Sequence, residues 1–178
     1  SDEISTGKIS TDAPEFVEAE KDVKEKLEKL LAINGKKTVK EFHKRLGKIL
    51  WDYCGMSRNE AGLQKGLELI DELQKEFWQD VRVPGEMSEL NQELERAVRV
   101  ADFFEVGKLM ITDALNRKES CGAHFREESQ TEGGEAMRDD ENYAYVSAWE
   151  FVGEGKPFNF HKEDLKFENV ELKVRSYK

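Results

Sequence analysis

The sequence has few of the residues that build metal centres and disulfide frameworks: its 178 residues include two cysteines and three histidines. Cys54 and Cys121 lie far apart and neither belongs to a CxxC pair, so a reduced cytosolic compartment is the plainer expectation. No apolar run approaches the roughly 20 residues that span a bilayer. The GxGxxG motif of dinucleotide-binding loops and the GxSxG motif of hydrolase nucleophiles are also absent.

Basic residues are outnumbered by acidic ones: 28 Lys and Arg against 38 Asp and Glu give a formal net charge of -10. Binding to a phosphate backbone needs Lys and Arg clustered on one face, so this balance argues against a nucleic-acid partner. Charged residues make up 37% and apolar residues 38%, which indicates one domain with a modest core. The chain opens with Ser1 and Asp2, without Met or a signal-peptide pattern, and we expect a piece of a longer protein.

Two helices are predicted in the first third of the chain from apolar residues at helical spacing. The first starts at Pro14, with Asp12 as its N-cap, and stops at Asn34-Gly35, where glycine can take the left-handed conformation. Residues 38–41 have the capping-box pattern Thr-x-x-Glu and open the second helix, which should end near Gly55.

Two further helices are predicted before the chain becomes more polar. Residues 57–60 repeat the capping-box spacing, and the helix that they open should end near Asp80. Ser88 is expected to cap the fourth helix, which runs from residue 90 to about residue 117. From 97 to 115 its apolar residues surround the axis, which predicts burial on all sides. Three other helices would not cover it fully, so the pattern also hints at a missing neighbour.

The C-terminal region has the composition of a small β structure. An acidic loop is expected at 129–141, and residues 142–152 are aromatic and β-branched with partial alternation, as in a strand. A turn at 153–155 would let 157–160 pair back. Residues 170–174 alternate cleanly and predict a further short strand.

The predicted fold is therefore mainly α: an up-down bundle of three to four helices followed by a small C-terminal β appendage. The expected parts are a flexible lead-in at 1–12, the helical bundle at 13–128, the acidic loop at 129–141 and the β appendage at 142–178. We expect the appendage to belong to the same domain as the bundle. The chain contains no internal repeat.

Residues 116–128 are unusual because a strongly polar segment directly follows the most apolar helix. They include three basic side chains, three carboxylates, one cysteine and one histidine. A metal site would use Cys121 and His124, with Glu119 or Glu127 added, but a Cys-x-x-His pair supplies two ligands where structural zinc takes four. The same two glutamates as general acid and base carry little information, because neighbouring carboxylates are expected in so acidic a chain.

A nucleophilic site is an equally weak interpretation of this stretch. Cys121 or Ser120 would pair with His124, but the pair also needs a residue that orients the base and an oxyanion hole. The neighbouring Asp139 and Asp140 are most simply a solvated part of the acidic loop. We therefore do not assign catalysis to these residues.

We favour a structural role for the polar stretch, as an interdomain clasp. Arg117, Arg126 and Arg138 carry planar guanidinium groups suited to carboxylates and backbone carbonyls. Gly122 would allow a tight turn, and His124 can donate and accept hydrogen bonds in one place. The partners of these groups would then lie across a protein interface.

Four segments resemble a known family. Residues 114–128, Ala-Leu-Asn-Arg-Lys-Glu-Ser-Cys-Gly-Ala-His-Phe-Arg-Glu-Glu, resemble the Arg-Lys-Glu-Ser-Arg-Gly-Ala-His-x-Arg-Glu-Asp signature of succinate dehydrogenase and fumarate reductase flavoprotein subunits. Residues 137–142 are similar to the Arg-Asp-Asp-x-Asn that follows it there. Residues 54–58 and 166–177 are similar to the opening of the family's C-terminal helical domain and to its usual end. The departure is Cys121, where the family commonly carries Arg.

The resemblance covers roughly residues 46 to 178 and implies the C-terminal helical domain of an FAD-dependent succinate/fumarate oxidoreductase. It places FAD and the dicarboxylate site in upstream domains, so no catalytic, cofactor-binding or metal residue is expected in this part. The implied partners are the subunit's own FAD-binding and capping domains and an iron–sulfur subunit that passes electrons to quinone. The implied location is cytoplasmic, peripheral to the inner membrane through partner subunits, without direct membrane insertion.

The resemblance also assigns matching positions to a contact between domains. They are Arg58, Glu119, Ser120, His124, Arg126, Arg138 and Asp139. The alternative, from a different class of function, is a stand-alone helical module that binds a partner protein through the same polar stretch. A dinucleotide-binding domain encoded in frame upstream would favour the first interpretation, and a gene limited to these residues would favour the second.

Overall fold

Helices dominate the structure, a computed structural model that describes residues 9–153, 155–171 and 173. The helices are α1 (Pro14–Ala32), α2 (Val39–Tyr53), α3 (Glu60–Asp80), α4 (Gln92–Asn116) and α5 (Asp140–Tyr143). The strands are β1 (Lys37–Thr38), β2 (Ser57–Arg58), β3 (Val81–Arg82), β4 (Phe125–Arg126), β5 (Tyr145–Glu150) and β6 (Asn159–Asp164). The expected mainly α fold with a C-terminal β appendage is confirmed.

The core of the bundle lies where α2, α3 and α4 meet. Phe42, Phe77 and Phe104, one from each helix, have no exposed surface. The ring of Phe77 meets those of Phe42 and Phe104 edge to face, with centroids 5.3 and 5.4 Å apart. Such pairs add about 0.5–1.5 kcal/mol to the free energy gained by burying the rings. α1 packs on α4 from the outside and contributes the fully buried Leu30.

The start of α2 confirms the sequence pattern, whereas the start of α1 does not. Thr38 Oγ1 accepts a hydrogen bond from Glu41 N, and the Glu41 carboxylate accepts one from Thr38 N, which together form the expected capping box. α1 has Pro14 in its first turn as predicted, but its N-cap is Ala13, which has no capping side chain. Asp12 instead bonds Ser10.

The predicted caps of the other two long helices are wrong by two or three residues. Asn59 caps α3 by accepting a hydrogen bond from Gly62 N, while Ser57 lies in β2. Asn91 caps α4, while the Ser88 hydroxyl donates to Glu86. In both cases an asparagine nearer the helix takes the position that the hydroxyl was expected to fill.

One face of α4 remains open within the described part of the chain. Ala97, Phe104 and Ile111 are fully buried, but Phe103, Val106 and Met110 are 41%, 52% and 46% exposed. The expectation of burial on all sides is therefore wrong for this stretch. The exposed side chains agree with the second expectation, that three neighbouring helices would not cover α4 fully.

The C-terminal appendage is an antiparallel hairpin of β5 and β6, with register Tyr145↔Asp164 to Glu150↔Asn159. Its first strand is shorter than predicted, because residues 140–143 form α5. The turn lies where it was expected, with φ of 118° at Gly153 and 72° at Gly155.

The ends of the chain test the sequence predictions only in part. Val170, Glu171 and Lys173 lie in no strand, and the other two residues of the predicted strand at 170–174 are outside the described residues. Most of the predicted lead-in, residues 1–8, is also outside them. Among the helices that the structure describes, none has the length and hydropathy needed to cross a bilayer.

The link between α1 and β1 shows why glycine is required at position 35. Asn34, not Gly35, takes the left-handed conformation, with φ of 42°. Gly35 N donates to Val81 O at 3.0 Å, and this contact brings the Gly35 backbone against Asp80. A Cβ at position 35 would lie 2.0 Å from the carbonyl carbon of Asp80, so Gly35 serves close approach rather than helix termination.

We therefore predict that Gly35→Ala destabilises the chain by about 1–3 kcal/mol, because the added methyl group must displace backbone. Gly47→Ala in α2 is the matched control, since a Cβ there would meet nothing within 4 Å. The control should be more stable than the parent by about 0.5–1 kcal/mol, because alanine favours a helix interior. Urea unfolding of both variants measures the two changes. Equal effects would contradict the close-approach argument.

Candidate functional site

The polar loop after α4, residues 117–128, folds back onto the start of α3. Its strand β4 pairs in parallel with β2, with Ser57 opposite Phe125 and Arg58 opposite Arg126. Glu127 N extends the pairing by donating to Arg58 O at 2.8 Å. The loop therefore joins the C-terminal end of α4 to the N-terminal end of α3.

Arg126 is the centre of this loop and is only 2% exposed. Its Nη1 donates to Ala114 O at 2.8 Å, in the last turn of α4. Its Nε donates to Glu128 Oε2 at 3.1 Å. A cation at the C-terminal end of a helix meets carbonyl groups that lack partners within the helix, so the guanidinium both closes α4 and is itself satisfied.

Ser120 and Glu119 fix the chain on either side of this arginine, and both are buried. Ser120 Oγ accepts from Arg126 N at 2.8 Å and donates to Arg126 O at 3.2 Å. Glu119 accepts from Arg117 Nη1 at 2.6 Å and from Asp139 N at 2.9 Å. The buried carboxylate is therefore paired with a guanidinium and with a backbone donor, as a buried charge must be.

His124 lies between two arginines with both ring nitrogens occupied. Its Nε2 is 2.8 Å from Arg117 O, and its Nδ1 is 2.8 Å from Arg58 Nη1. A carbonyl oxygen only accepts and a guanidinium only donates, so these contacts assign a neutral ring with the proton on Nε2. Burial, followed by the positive charges of Arg58 and Arg126, holds the pKa of His124 below its ordinary value of 6.5.

Glu127 and Glu128 hold the loop to the start of α3, although neither was among the residues predicted for the interdomain contact. Glu127 accepts from Ser57 Oγ at 2.8 Å and from Asn59 Nδ2 at 2.9 Å. Glu128 accepts from Glu60 N at 2.6 Å, where carboxylates suit the positive end of the helix dipole. Burial alone would raise the pKa of Glu128, but the hydrogen bonds from Glu60 N and Arg126 leave it below its ordinary value.

Arg138 and Asp139 lie beside this network rather than inside it. Arg138 pairs with both carboxylate oxygens of Asp140: Nε and Nη2 donate to Oδ1 at 2.9 and 2.6 Å, and Nη2 also donates to Oδ2 at 2.6 Å. The Asp139 side chain caps α5 by accepting from Asn142 N at 3.1 Å, and its backbone N–H is the donor to Glu119. The predicted site residues thus form one cluster, with Arg138 at its edge.

The hydrogen bonds leave little room for nucleophilic catalysis. His124 faces a guanidinium on one side and a carbonyl on the other, so it offers no free nitrogen as a base. The Ser120 hydroxyl is buried against the Arg126 backbone, and Cys121 is exposed on a turn with Gly122 at φ of 60°. Within residues 9–153, 155–171 and 173, no group of three or more His, Cys, Asp or Glu side chains is placed to hold a metal ion.

The main polar groups of the loop have their partners inside the chain. We expected those partners across a domain interface, whereas no buried side-chain nitrogen or oxygen of the described residues lacks a hydrogen bond. Arg58, His124, Arg138 and Asp139 are nonetheless partly exposed, so a contact to another domain through them stays a prediction.

Comparison with known proteins places this loop in a family. The family model described as fumarate reductase flavoprotein C-term matches residues 43–177. The chain belongs to this family. The match begins within α2, continues past the hairpin and includes the whole polar loop.

Individual relatives support the same assignment. An uncharacterised FAD-dependent oxidoreductase of Methanocaldococcus jannaschii is 38% identical over 112 residues, which cover 63% of this chain and 20% of that protein. The fumarate reductase flavoprotein subunit of Haemophilus influenzae is 34% identical over 123 residues, 69% of this chain and 19% of that one. The chain thus matches about one fifth of the length of these curated relatives.

Solved structures share the fold. A mutant quinol fumarate reductase of Escherichia coli matches with a TM-score of 0.75 at 25% identity, over 94% of this chain and 27% of that one. The Sdh1 complex of Mycobacterium smegmatis matches with a TM-score of 0.63 at 21% identity, over 84% of this chain and 25% of that one. Because its identity is only 21%, the Mycobacterium smegmatis match is evidence for a shared fold alone.

Arg126→Met tests the central hydrogen bonds of the loop. We expect a loss of about 1.5–3 kcal/mol in the free energy of unfolding, because Ala114 O would lose a charged donor that methionine cannot replace. The matched control is Arg82→Met, at an exposed arginine of β3, which should change stability by less than about 0.5 kcal/mol. Denaturant unfolding measures both. A stable Arg126→Met variant would mean that desolvation cancels the hydrogen bonds of the guanidinium.

The lowered pKa of His124 predicts how stability depends on pH. A depressed pKa means that the unfolded chain binds the proton more readily, so the stabilisation is fully present above about pH 6.5 and falls as the pH is lowered through the folded-state pKa. His124→Asn should remove this part of the pH dependence. In the control His43→Asn this part of the pH dependence should persist, because His124 is intact. Unfolding curves from neutral to mildly acidic pH measure the difference between the two variants.

Proposed function

We propose that this chain is the C-terminal helical domain of an FAD-dependent succinate dehydrogenase or fumarate reductase flavoprotein subunit. Such a subunit interconverts succinate and fumarate and exchanges electrons with quinone through an iron–sulfur subunit. The observation that carries the proposal is the family match over residues 43–177, which includes the polar loop. The FAD-dependent relative and the fumarate reductase subunits among the matches support it.

In this proposal the chain has a structural task and performs no chemistry of its own. Glu119, Ser120 and Arg126 are buried and set the shape of the loop. The partly exposed signature residues then present a rigid polar surface to the FAD-binding and capping domains of the subunit: Arg58, His124, Arg138 and Asp139. A preorganised surface of this kind loses little conformational entropy when it meets its neighbour.

The described residues do not fit FAD themselves. Their parallel strand pairs, β1–β3 and β2–β4, are two residues long and belong to no βαβ dinucleotide unit. The sequence also lacks the glycine-rich loop with which such a unit approaches a pyrophosphate. We therefore assign FAD and the dicarboxylate to the part of the longer subunit that this chain does not cover.

A stand-alone interaction module is the second candidate, and the open face of α4 favours it. Phe103, Val106 and Met110 recur at helical spacing with about half of each side chain exposed. Exposed apolar groups in one stripe indicate a surface that another protein or domain covers. The two candidates differ in whether that cover belongs to the same polypeptide.

The deciding experiment compares the 178-residue chain with the longest open reading frame that contains it. We expect the longer polypeptide to bind FAD, seen as visible flavin absorbance, and to interconvert succinate and fumarate with artificial electron carriers. The 178-residue chain should fold, by circular dichroism, without binding flavin. Assays run in both directions also show which reaction is faster.

A reading frame limited to these residues would contradict the flavoprotein proposal and leave the interaction module. A longer polypeptide that binds FAD but acts on neither dicarboxylate would retain the flavoprotein assignment and reject the substrate.

A further inference from the structure

A basic cavity lies between the start of α2 and the first half of α4, whereas the polar loop follows the C-terminal end of α4. Its volume is about 350 Å³, within the range of roughly 300–1,000 Å³ in which small-molecule sites fall. Four of its seven lining residues are basic and three are apolar, and none is acidic. Such a lining is unusual on a chain whose net charge is -10.

The apolar part of the cavity is built by the bundle itself. Val39 and Val100 are each only 2% exposed and line it from α2 and α4. Phe103 forms a further wall and is 41% exposed. The His43 ring lies 5.7 Å from the Phe103 ring at an interplanar angle of 35°, so two flat faces border the same space. The cavity therefore suits a ligand with an apolar, flat body.

The basic part consists of Lys40 and His43 on α2 and of Arg96 and Arg99 on α4. The two arginines are anchored by exposed intrahelical pairs, Arg99 to Glu95 at 2.5 Å and Arg96 to Glu93. Exposed pairs of this type are weak, at about 0.3–0.5 kcal/mol, so an anionic ligand can compete for the guanidinium groups.

The other two basic groups have no acidic partner to displace. Within the described residues, no ion pair involves Lys40 or His43. The carboxylate that follows Lys40 in the sequence, that of Glu41, is held in the capping box by the backbone and hydroxyl of Thr38, at 2.8 Å from each. The positive end of the α2 dipole lies at the same place and adds to the attraction for an anion.

We propose that this cavity binds a small carboxylate with an apolar or aromatic body. The planar guanidinium of Arg99 or Arg96 matches the two oxygens of a carboxylate, and the body of the ligand packs against Phe103 and the two valines. The size of the cavity favours a free small molecule over a polypeptide segment. This site is separate from the polar loop. Because Phe103 also belongs to the open face of α4, the cavity is open to a ligand only where no other protein or domain covers that residue.

The experiment titrates the folded chain with phenylacetate and, separately, with phenylacetamide, which has the same body without the charge. Nitrogen–proton and carbon–proton NMR spectra follow the backbone and ring signals of His43 and Phe103. Phenylacetate should shift these signals in a saturable way, and phenylacetamide should bind about tenfold more weakly, because a charge-assisted hydrogen bond is lost. Equal binding of the two compounds would overturn the proposal.

Two variants and one control locate the binding. Arg99→Gln should weaken phenylacetate binding about tenfold, and Phe103→Ser should weaken it through loss of the apolar wall. Both positions are on the surface, so the fold should survive, which circular dichroism checks. Arg82→Gln, which removes an exposed charge outside the cavity, should leave the affinity unchanged. If it weakens binding as much as Arg99→Gln does, the anion is attracted by general surface charge and the site is rejected.

Two further probes separate the proposed ligand from other anions. Inorganic phosphate should shift the same signals far less than phenylacetate, because it has no apolar body; an equal effect would overturn the apolar-carboxylate assignment. A short capped peptide containing Asp-Phe tests the polypeptide alternative. If the peptide saturates the site and phenylacetate does not, the cavity is a docking site for protein and the small-molecule proposal falls.

Discussion

The buried guanidinium of Arg126 is the constraint on which the loop region depends. A charge taken out of water is costly unless its hydrogen bonds are replaced, and here a helix carbonyl and a carboxylate replace them at 2.8 and 3.1 Å. Because one partner is Ala114 at the end of α4 and the other is Glu128, which binds Glu60 N at the start of α3, the position of Arg126 fixes both helix ends. The loop between them has correspondingly little freedom.

The same network also determines where the hairpin lies. Arg117, which pairs with Glu119, donates to Tyr143 O and Tyr145 O at 3.2 and 3.1 Å. Farther along, Trp149 Nε1 donates to Asp113 Oδ1 at 2.7 Å and ties β5 to α4. The β appendage therefore has few core contacts of its own and takes its position from polar groups that belong to the loop and to α4.

The helices and their lengths were predictable because they depend on local periodicity. The Thr38–Glu41 capping box was predictable because both of its partners lie within four residues. Ser57 had the same local pattern, but its hydroxyl is taken by Glu127, 70 residues away. The residues of the polar stretch could be singled out from the sequence because their types indicate strong hydrogen bonding, and the resemblance to the flavoprotein family added Arg58 and Asp139. Their partners were not, because a sequence pattern does not distinguish an arginine that closes its own helix from one that reaches another domain.

Whether the polar groups bond within the chain or across an interface bears on which surface a neighbouring domain would contact. Stable contacts between protein parts need apolar surface that leaves water, and polar groups then set orientation. In the described residues the polar loop is largely satisfied internally, whereas Phe103, Val106 and Met110 leave an apolar stripe on α4. About four fifths of the length of each curated relative lies outside the part that matches this chain. The buried polar residues of the loop thus act on the shape of this domain, and the exposed side chains of α4 are apolar surface that an association would bury.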